Sequence, residues 1–171
     1  MTQKNIFVDL KYCFGCRACE VACKQEHSLP VGIKWLNVVK VGPRPVDGKL
    51  QMDFVPMRCR HCARPACLEA CPEKAITKRT DGIVLIDPER CTGCLACVEA
   101  CPFGAVQLNE QTGVAEKCTL CVHRVDAGLE PACVHTCPAK CLYFGDGKDL
   151  IKVKQKRAAE SAAENTRQSI F

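Results

Sequence analysis

Sixteen of the seventeen cysteines in this 171-residue chain fall into four groups of four. The groups in residues 13–23 and 91–101 have the spacing C-x2-C-x2-C-x3-C. The group in residues 59–71 has the same spacing with two additional residues between its second and third cysteines. In the group in residues 118–137, eleven residues separate the second cysteine from the third. Four thiolates at such spacings bind the iron atoms of a [4Fe–4S] cluster. The sequence therefore predicts four such clusters, and hence electron transfer.

Two other uses of so many cysteines fit the sequence less well. A secreted disulfide scaffold is disfavoured because the count is odd and C-x2-C-x2-C places three sulfurs too close for separate disulfide partners. No signal-like apolar stretch begins the chain. Zinc is the stronger alternative, since C-x2-C pairs commonly bind it. Zinc sites, however, usually take two pairs from separate segments, whereas here a third cysteine follows at short range.

Composition indicates that bound metal holds the fold together. Aromatic residues make up only 5% of the chain, so a conventional core is expected to be thin. Thiolate–iron bonds join distant segments, and metal-binding energy then becomes folding energy. We therefore expect the apoprotein to be largely disordered.

The formal net charge of +5 counts every cysteine as neutral, although metal ligands are deprotonated. An oxidised cluster with four thiolates carries about −2, which brings the loaded protein to about −3. The basic residues then compensate buried negative charge, and nucleic-acid binding is not indicated.

In two-cluster ferredoxins the fourth cysteine of each run binds the other cluster. This rule makes the second and third groups an inner domain over residues 56–104. The first and last groups then pair around it as an outer domain, residues 1–55 and 105–147, with an insertion at 24–55. Residues 148–171 form a partner-docking tail. The predicted fold is α+β: two nested bacterial two-cluster ferredoxin-like domains, built of short helices and β-hairpins, with a C-terminal helical tail.

Each predicted cluster takes three cysteines from one group and the fourth from the paired group. The leftover Cys141 is predicted to fill a small buried position, with a spare ligand or a redox-sensing thiol as alternatives. The four ligand sets are Cys59, Cys62, Cys67 and Cys101; Cys91, Cys94, Cys97 and Cys71; Cys13, Cys16, Cys19 and Cys137; and Cys118, Cys121, Cys133 and Cys23.

Segments between the groups also carry local signals. Asp81-Gly82 and Thr112-Gly113 each predict the turn of a β-hairpin. The sequence of the insertion predicts a strand at 38–41 followed by a Gly/Pro-rich loop at 42–49. We expect the insertion either to pack against a partner or to cover the inner domain. The alanine-rich tail favours a helix that docks on another chain, because it has almost no large apolar stripe before its last residues, Ile170 and Phe171.

Basic residues lie in or beside the ligand loops, where positive charge near a cluster stabilises its reduced state and raises its potential. The alternative is that they are solvent-facing loop charges. No Ser/His/Asp arrangement, paired carboxylates or phosphate-binding loop is visible, which predicts a non-catalytic protein. The basic residues are Arg17, Arg58, Arg60, His61 and Arg64.

The need for reduced thiols predicts a cytoplasmic location. No twin-arginine pair precedes Cys13 and no stretch of about 18 apolar residues occurs, so the chain is expected to lack its own export signal and transmembrane segment. Membrane association is expected only through a partner.

The widened second group and the long gap in the fourth resemble the iron–sulfur subunits of the dimethyl sulfoxide reductase family. The resemblance runs from residue 6 to about 147 and includes GIKWLNV at 32–38 and CPAKCLYFGD at 137–146. It implies that all sixteen grouped cysteines are ligands, in the crossed scheme above.

The resemblance also implies partners. One end of a linear cluster relay would face a molybdenum- or tungsten-pterin catalytic subunit, for example that of a tungsten aldehyde oxidoreductase. The other end would face a second redox subunit, either a flavoprotein or a membrane quinone subunit. The alternatives are a freely diffusing polyferredoxin and a structural or metal-sensing zinc protein.

Overall fold

The computed structural model describes residues 3–168 of the chain. Its short helices and two-stranded antiparallel sheets confirm the α+β ferredoxin-like fold that the cysteine spacing predicts. The elements are β1 (Asn5–Val8), a 3-10 helix (Leu10–Tyr12), α1 (Ala18–Glu26), β2 (Leu36–Val46), β3 (Lys49–Arg58), α2 (Ala66–Glu69), β4 (Ile76–Lys78), β5 (Val84–Ile86), α3 (Ala96–Glu99), β6 (Gln107–Asn109), β7 (Val114–Glu116), α4 (Val122–Asp126), α5 (Ala132–His135), β8 (Leu142–Gly145) and α6 (Gly147–Gln168).

The first and last strands form one sheet. β1 pairs with β8 in antiparallel register, with Asn5 opposite Gly145 and Val8 opposite Leu142. Ile6 and Leu142 from this sheet are buried in the largest core cluster. The pairing brings the segment before the first cysteine group beside the segment after the fourth. We call the part of the molecule that contains these two groups the outer unit, and the part that contains the second and third groups the inner unit.

Both predicted hairpin turns occur. β4 pairs with β5, and β6 pairs with β7, each over three residues on either strand. Gly82 and Gly113 take left-handed φ angles of 89° and 73°, which glycine adopts without steric cost.

The insertion differs from its prediction. Residues 42–46, expected in a loop, continue strand β2, and only Asp47 and Gly48 remain as the turn to β3. Both turn residues have positive φ, as a two-residue hairpin turn requires. An irregularity between Val41 and Arg44 interrupts the register of the strands. Proline is tolerated on β2 because the sheet has only two strands, so one edge of each strand needs no ladder hydrogen bond.

Helix α1 is fixed to this insertion by a buried carboxylate. Glu20 Oε1 accepts from the Val38 N–H at 2.5 Å, and Oε2 pairs with Lys34 Nζ at 3.2 Å. A buried acidic side chain needs such partners to offset the loss of water. The contact links the first cysteine run to β2.

The core mixes aliphatic side chains with cysteines. Ile83 and Leu120 are both 0% exposed, and they share the largest cluster with ligand candidates such as Cys19 and Cys137. Leu120 itself lies between Cys118 and Cys121 in sequence. Hydrophobic packing and the candidate sites are therefore parts of the same interior.

Charged groups join the inner unit to the outer unit. The Arg79 guanidinium donates to both carboxylate oxygens of Asp126 on α4, at 2.9 and 2.7 Å. It also pairs with Asp81 in its own hairpin at 3.1 Å. The backbone N–H of Lys4 donates to the Asp81 carbonyl at 2.9 Å.

The C-terminal helix α6 contacts the outer unit through Arg157. The guanidinium pairs with Asp9 at 3.2 Å, donates to the Lys140 carbonyl at 2.6 Å and lies 3.9 Å from the centre of the Tyr12 ring. The tail thus docks on its own chain in the monomer, and docking on a partner stays a prediction. Ile170 and Phe171 lie outside the described residues. No helix among residues 3–168 is long and apolar enough to cross a membrane.

We expect Arg157→Ala to loosen α6, because it removes an ion pair, a charged hydrogen bond and a ring contact, together about 1 kcal/mol after allowance for solvent. Amide hydrogen exchange in residues 148–160 should become about fivefold faster. The control is Lys156→Ala, since Lys156 is exposed and pairs with Glu160 only at 3.9 Å. Equal exchange in the two variants would contradict docking through Arg157.

Candidate metal centres

Three cavities are each lined by four of the predicted ligands. The space between atoms at these cavities, counting the part open to solvent, is about 370, 320 and 310 Å³. In each case three cysteines come from one run and the fourth from another. The lining sets are Cys59, Cys62, Cys67 and Cys101; Cys91, Cys94, Cys97 and Cys71; and Cys13, Cys16, Cys19 and Cys137.

The remaining four predicted ligands also lie together. Helix α1, with Cys23, packs against α5, with Cys133. The pKa of Cys133 is raised by burial and then by the neighbouring thiols of Cys118, Cys121 and Cys23. Cys121 shares a buried cluster with Ala22 and Ala132.

The third cysteine of every run is the second residue of a short helix that begins with alanine. The four helices begin with the pairs 18–19, 66–67, 96–97 and 132–133. In the two compact runs, the residue before the helix is in the left-handed region: Arg17 and Leu95. In the two longer runs that residue is an extended proline, Pro65 or Pro131. The residues added between the second and third cysteines of the two longer runs therefore change the backbone before the helix. The helix itself still begins with Ala-Cys.

The residue two positions after the first cysteine is left-handed in all four runs. These residues are Gly15, His61, Gly93 and Leu120, with φ between 43° and 75°. In the second and fourth runs, this turn lets the His61 N–H donate to Cys59 Sγ and the Leu120 N–H to Cys118 Sγ, both at 3.4 Å. Such strain at non-glycine residues costs on the order of 1 kcal/mol and is typical of functional loops.

Further donors, both local and from distant segments, reach the sulfurs. The Ala115 N–H donates to Cys91 Sγ at 3.4 Å, and the Ala105 N–H lies 3.5 Å from Cys101 Sγ. His27 Nε2 lies 3.2 Å from Cys121 Sγ. His27 is 94 residues from Cys121 in sequence, so no local pattern could have identified it. Hydrogen bonds to cluster sulfurs are one of the factors that set reduction potential.

Burial disfavours free thiolates at these positions. It raises the pKa of Cys19 to about 12, and the pKa values of Cys67 and Cys121 to about 11. Several thiolates in one buried cavity are therefore unfavourable unless metal cations compensate them. Metal binding must release protons, so it weakens as the pH falls.

The predicted small buried residue, Cys141, is 3% exposed and lines the same cavity as Cys137. The two sulfurs are 3.5 Å apart. Burial acts to raise the pKa of Cys137, but hydrogen bonds from the backbone and the thiol of Cys141 lower it overall. Cys141 thus stabilises the thiolate form of its neighbour.

The structure divides the basic residues of the ligand loops. Arg17, Arg60 and Arg64 are exposed, as the solvent-facing interpretation requires. Arg58 and His61 are buried, at 8% and 1% exposure. His61 Nδ1 accepts the Val84 N–H at 2.9 Å, so the proton of the neutral ring is on Nε2.

The residues fit [4Fe–4S] clusters. Four soft thiolates around a cavity are the donor set that such a cluster requires, and they exclude magnesium or calcium. His61 lines the largest of the three cysteine-lined cavities, and its Nε2–H has no hydrogen-bond partner within the described residues. Among the side chains described, those of residues 3–163, no three from His, Cys, Asp or Glu lie close enough together to hold a single metal ion.

We expect Gly93→Ala to cost the protein about one cluster, because a Cβ there would lie 2.3 Å from the Gly113 carbonyl oxygen and displace the loop. Gly128→Ala is the matched control: Gly128 has a similar φ of 74°, and nothing lies within 4 Å of its Cβ position. Iron and acid-labile sulfide should fall by about four atoms each per chain only in Gly93→Ala. Equal iron contents would contradict the role of this close approach.

Comparison with known proteins agrees with this chemistry. Residues 50–147 and residues 12–75 each match the 4Fe-4S dicluster domain family. The chain is 42% identical to a subunit of the tetrathionate reductase of Salmonella typhimurium, over 84% of this chain and 58% of that protein. It is 37% identical to the iron-sulfur subunit of the nitrate-inducible formate dehydrogenase of Escherichia coli, over 91% and 58%.

The chain is also 37% identical to a component of the anaerobic dimethyl sulfoxide reductase of Escherichia coli, over 88% of this chain and 77% of that protein. It thus spans little more than half of two of these relatives and about three quarters of the third. The family match covers more than half of the chain, and the dimethyl sulfoxide reductase match covers most of both proteins. The chain belongs to the 4Fe-4S dicluster family of electron-transfer iron–sulfur subunits of the dimethyl sulfoxide reductase type.

Proposed function

We propose that this protein relays single electrons through four [4Fe–4S] clusters, between a molybdenum- or tungsten-pterin catalytic subunit and a second redox partner. The observation that carries the proposal is the crossing of cysteine runs at three cavities and at a fourth cluster of thiols. When bound, each cluster accepts and returns one electron at a time. The polypeptide holds the sites at fixed separation.

We assign all sixteen grouped cysteines as ligands in the crossed scheme. The short helices support this assignment, since each connects two sites. Cys67 and Cys71 lie four residues apart at α2, a rise of about 6 Å along a helix, and they line different cavities. Cys97 and Cys101 repeat the arrangement at α3. Within a unit, each short helix thus carries one ligand of each of two neighbouring sites, in the helix or just after it.

A contact between units supports a linear order of the sites. Cys59 of the inner unit and Cys118 of the outer unit share a buried cluster with Ala105. We therefore propose that the site of Cys59 and the site of Cys118 are the two middle members of the relay. The sites of Cys94 and Cys16, whose cysteines are exposed, are then the two ends.

We retain the domain boundaries that the spacing predicts. Residues 56–104 are the inner domain, and residues 1–55 and 105–147 are the outer domain. The pairing of β1 with β8 supports this nesting. For residues 148–171 we propose a partner-docking role, supported by the exposure of Ile151 on α6.

The partners follow from the relatives by analogy. The relatives are named as parts of tetrathionate, formate and dimethyl sulfoxide oxidoreductases. For this chain we propose a pterin-metal catalytic subunit, with a tungsten aldehyde oxidoreductase as one specific candidate. The second partner is a flavoprotein or a membrane quinone subunit. Because the ligands must be reduced thiols, we place cluster assembly in the cytoplasm.

The complex can be tested by anaerobic pull-down of the tagged chain with mass spectrometry. The proposal predicts stoichiometric recovery of a pterin-containing catalytic subunit. A monodisperse monomer with full iron content would favour a diffusing polyferredoxin. Colourless protein that holds zinc and no acid-labile sulfide would refute the cluster assignment.

Replacing Cys137 tests the crossed ligand scheme. The contact between Cys137 and Cys141 means that both cysteines must be replaced. Because the two sulfurs are 3.5 Å apart, Cys141 is positioned to replace the lost ligand. We therefore expect the double variant Cys137→Ser/Cys141→Ser, in EPR of the reduced protein, to lose the cluster of Cys13, Cys16 and Cys19. Cys141→Ser alone should keep all four signals.

Cys133→Ser is the counterpart, and it should disturb the cluster of Cys118, Cys121 and Cys23. Damage to that cluster in the double variant, with the cluster of Cys13 intact, would refute the crossing. Iron analysis should also find about sixteen atoms per chain in the unaltered protein.

A further inference from the structure

Two buried cations lie where the inner and outer units meet. Arg58 and Lys117 are 8% and 2% exposed. Each directly precedes the first cysteine of a run, Cys59 in the inner unit and Cys118 in the outer unit. These two cysteines are the pair that contacts Ala105 across the junction. The cations therefore flank the point where the two units touch.

The Arg58 side chain is fixed by backbone carbonyls. It donates to the Cys59 carbonyl at 2.7 Å and to the Ile6 carbonyl. Its Nε has no hydrogen-bond partner within the described residues. Burial lowers the pKa of Arg58, and negative charge on Cys118, Cys133 and Cys59, which belong to both units, acts against that shift.

The Lys117 side chain crosses from one unit to the other. Its Nζ donates to the Val84 carbonyl of the inner unit, and to the Cys118 carbonyl at 3.3 Å. Lys117 also lines the cavity of Cys59, Cys62, Cys67 and Cys101. A residue that precedes a ligand of one site thus places its charge at the neighbouring site.

Neither cation has a carboxylate partner within ion-pair distance among residues 3–163, the part of the chain whose side chains the structure describes. Carbonyl groups satisfy N–H donors but do not neutralise a charge, and an unpaired buried cation is costly. The negative charge that would balance both cations is that of the two clusters, each about −2 when oxidised and one unit more negative when reduced.

We infer that Arg58 and Lys117 are counter-cations of the two middle clusters and raise the reduction potentials of both. The inference rests on the proposed four-cluster relay. Without such charges, an electron would be repelled by the negative cluster next to it. The two cations stabilise the reduced form on either side of the junction and so favour passage of electrons between the units.

The test is an EPR-monitored redox titration of the intact protein carrying Lys117→Gln or Arg58→Gln. We expect the midpoint potentials of the two middle clusters to fall. At a fixed solution potential, the ratio of reduced to oxidised cluster should drop about tenfold for each of the two clusters. This corresponds to a fall of about 59 mV in a one-electron midpoint potential. The other two midpoints should stay unchanged. Added salt should not abolish the shift, since buried charges are little screened.

Arg90→Gln is the matched control. Arg90 also precedes the first cysteine of a run, Cys91, but it is exposed and donates to the Glu73 carbonyl at 3.0 Å. Its replacement should leave all four midpoints in place. Arg58→Lys and Lys117→Arg retain the charge while changing the hydrogen bonds, and both should keep the potentials close to those of the unaltered protein.

The outcomes separate this inference from the proposed function. An unaltered protein without four clusters refutes the relay. Four clusters with unchanged midpoints in both neutral variants overturn the inference alone, as does an equal fall in the charge-retaining variants. If the neutral variants fail to assemble clusters, full assembly in the charge-retaining ones supports the counter-charge role. Equal failure in both kinds of variant shows a structural role and overturns it.

Discussion

The bond between a thiolate and iron is the interaction on which the proposed structure depends, and its geometry is set by short helices. Four helices, α1, α2, α3 and α5, begin with Ala-Cys, and in each case a second cysteine follows the first by four residues, within the helix or just after it. In the proposed scheme the two sulfurs belong to different sites, so one helix connects two neighbouring sites. This arrangement explains why α2, α3 and α5, at four residues each, are sufficient in a chain with little conventional core.

The proposed clusters and their thiolates would bring a large negative charge into the interior. Backbone N–H groups in left-handed turns face Cys59 and Cys118, and His27 approaches Cys121. These dipoles favour anionic sulfur without adding net charge. Arg58 and Lys117 differ because they carry full charges into the junction, where the two units touch. The distribution of donors and cations would thus be a physical basis for unequal potentials along the proposed relay.

Polar anchors help to attach the segments outside the ferredoxin-like units to them. Glu20 fixes the insertion hairpin to α1, and Arg157 fixes α6 beside Tyr12. Both anchors lie beside the first cysteine run. Much of the hairpin and of α6 remains exposed, including Leu50 at 79% and Ile151 at 57%. The hairpin and α6 therefore keep exposed apolar side chains while remaining attached close to one end of the proposed relay.

The sequence by itself determined the fold class, the hairpin turns and the grouping of cysteines, because cysteine spacing and glycine-containing turns are local properties of a chain. It did not determine that residues 42–46 continue a strand, since proline is excluded only where a ladder bond is needed. Tertiary structure alone decided that His27 meets Cys121, that Cys141 contacts Cys137, and that Arg58 is buried while Arg60 is exposed. These features depend on which distant segments pack together. The sequence does not show whether a charged residue is surrounded by water or lies beside a buried cysteine.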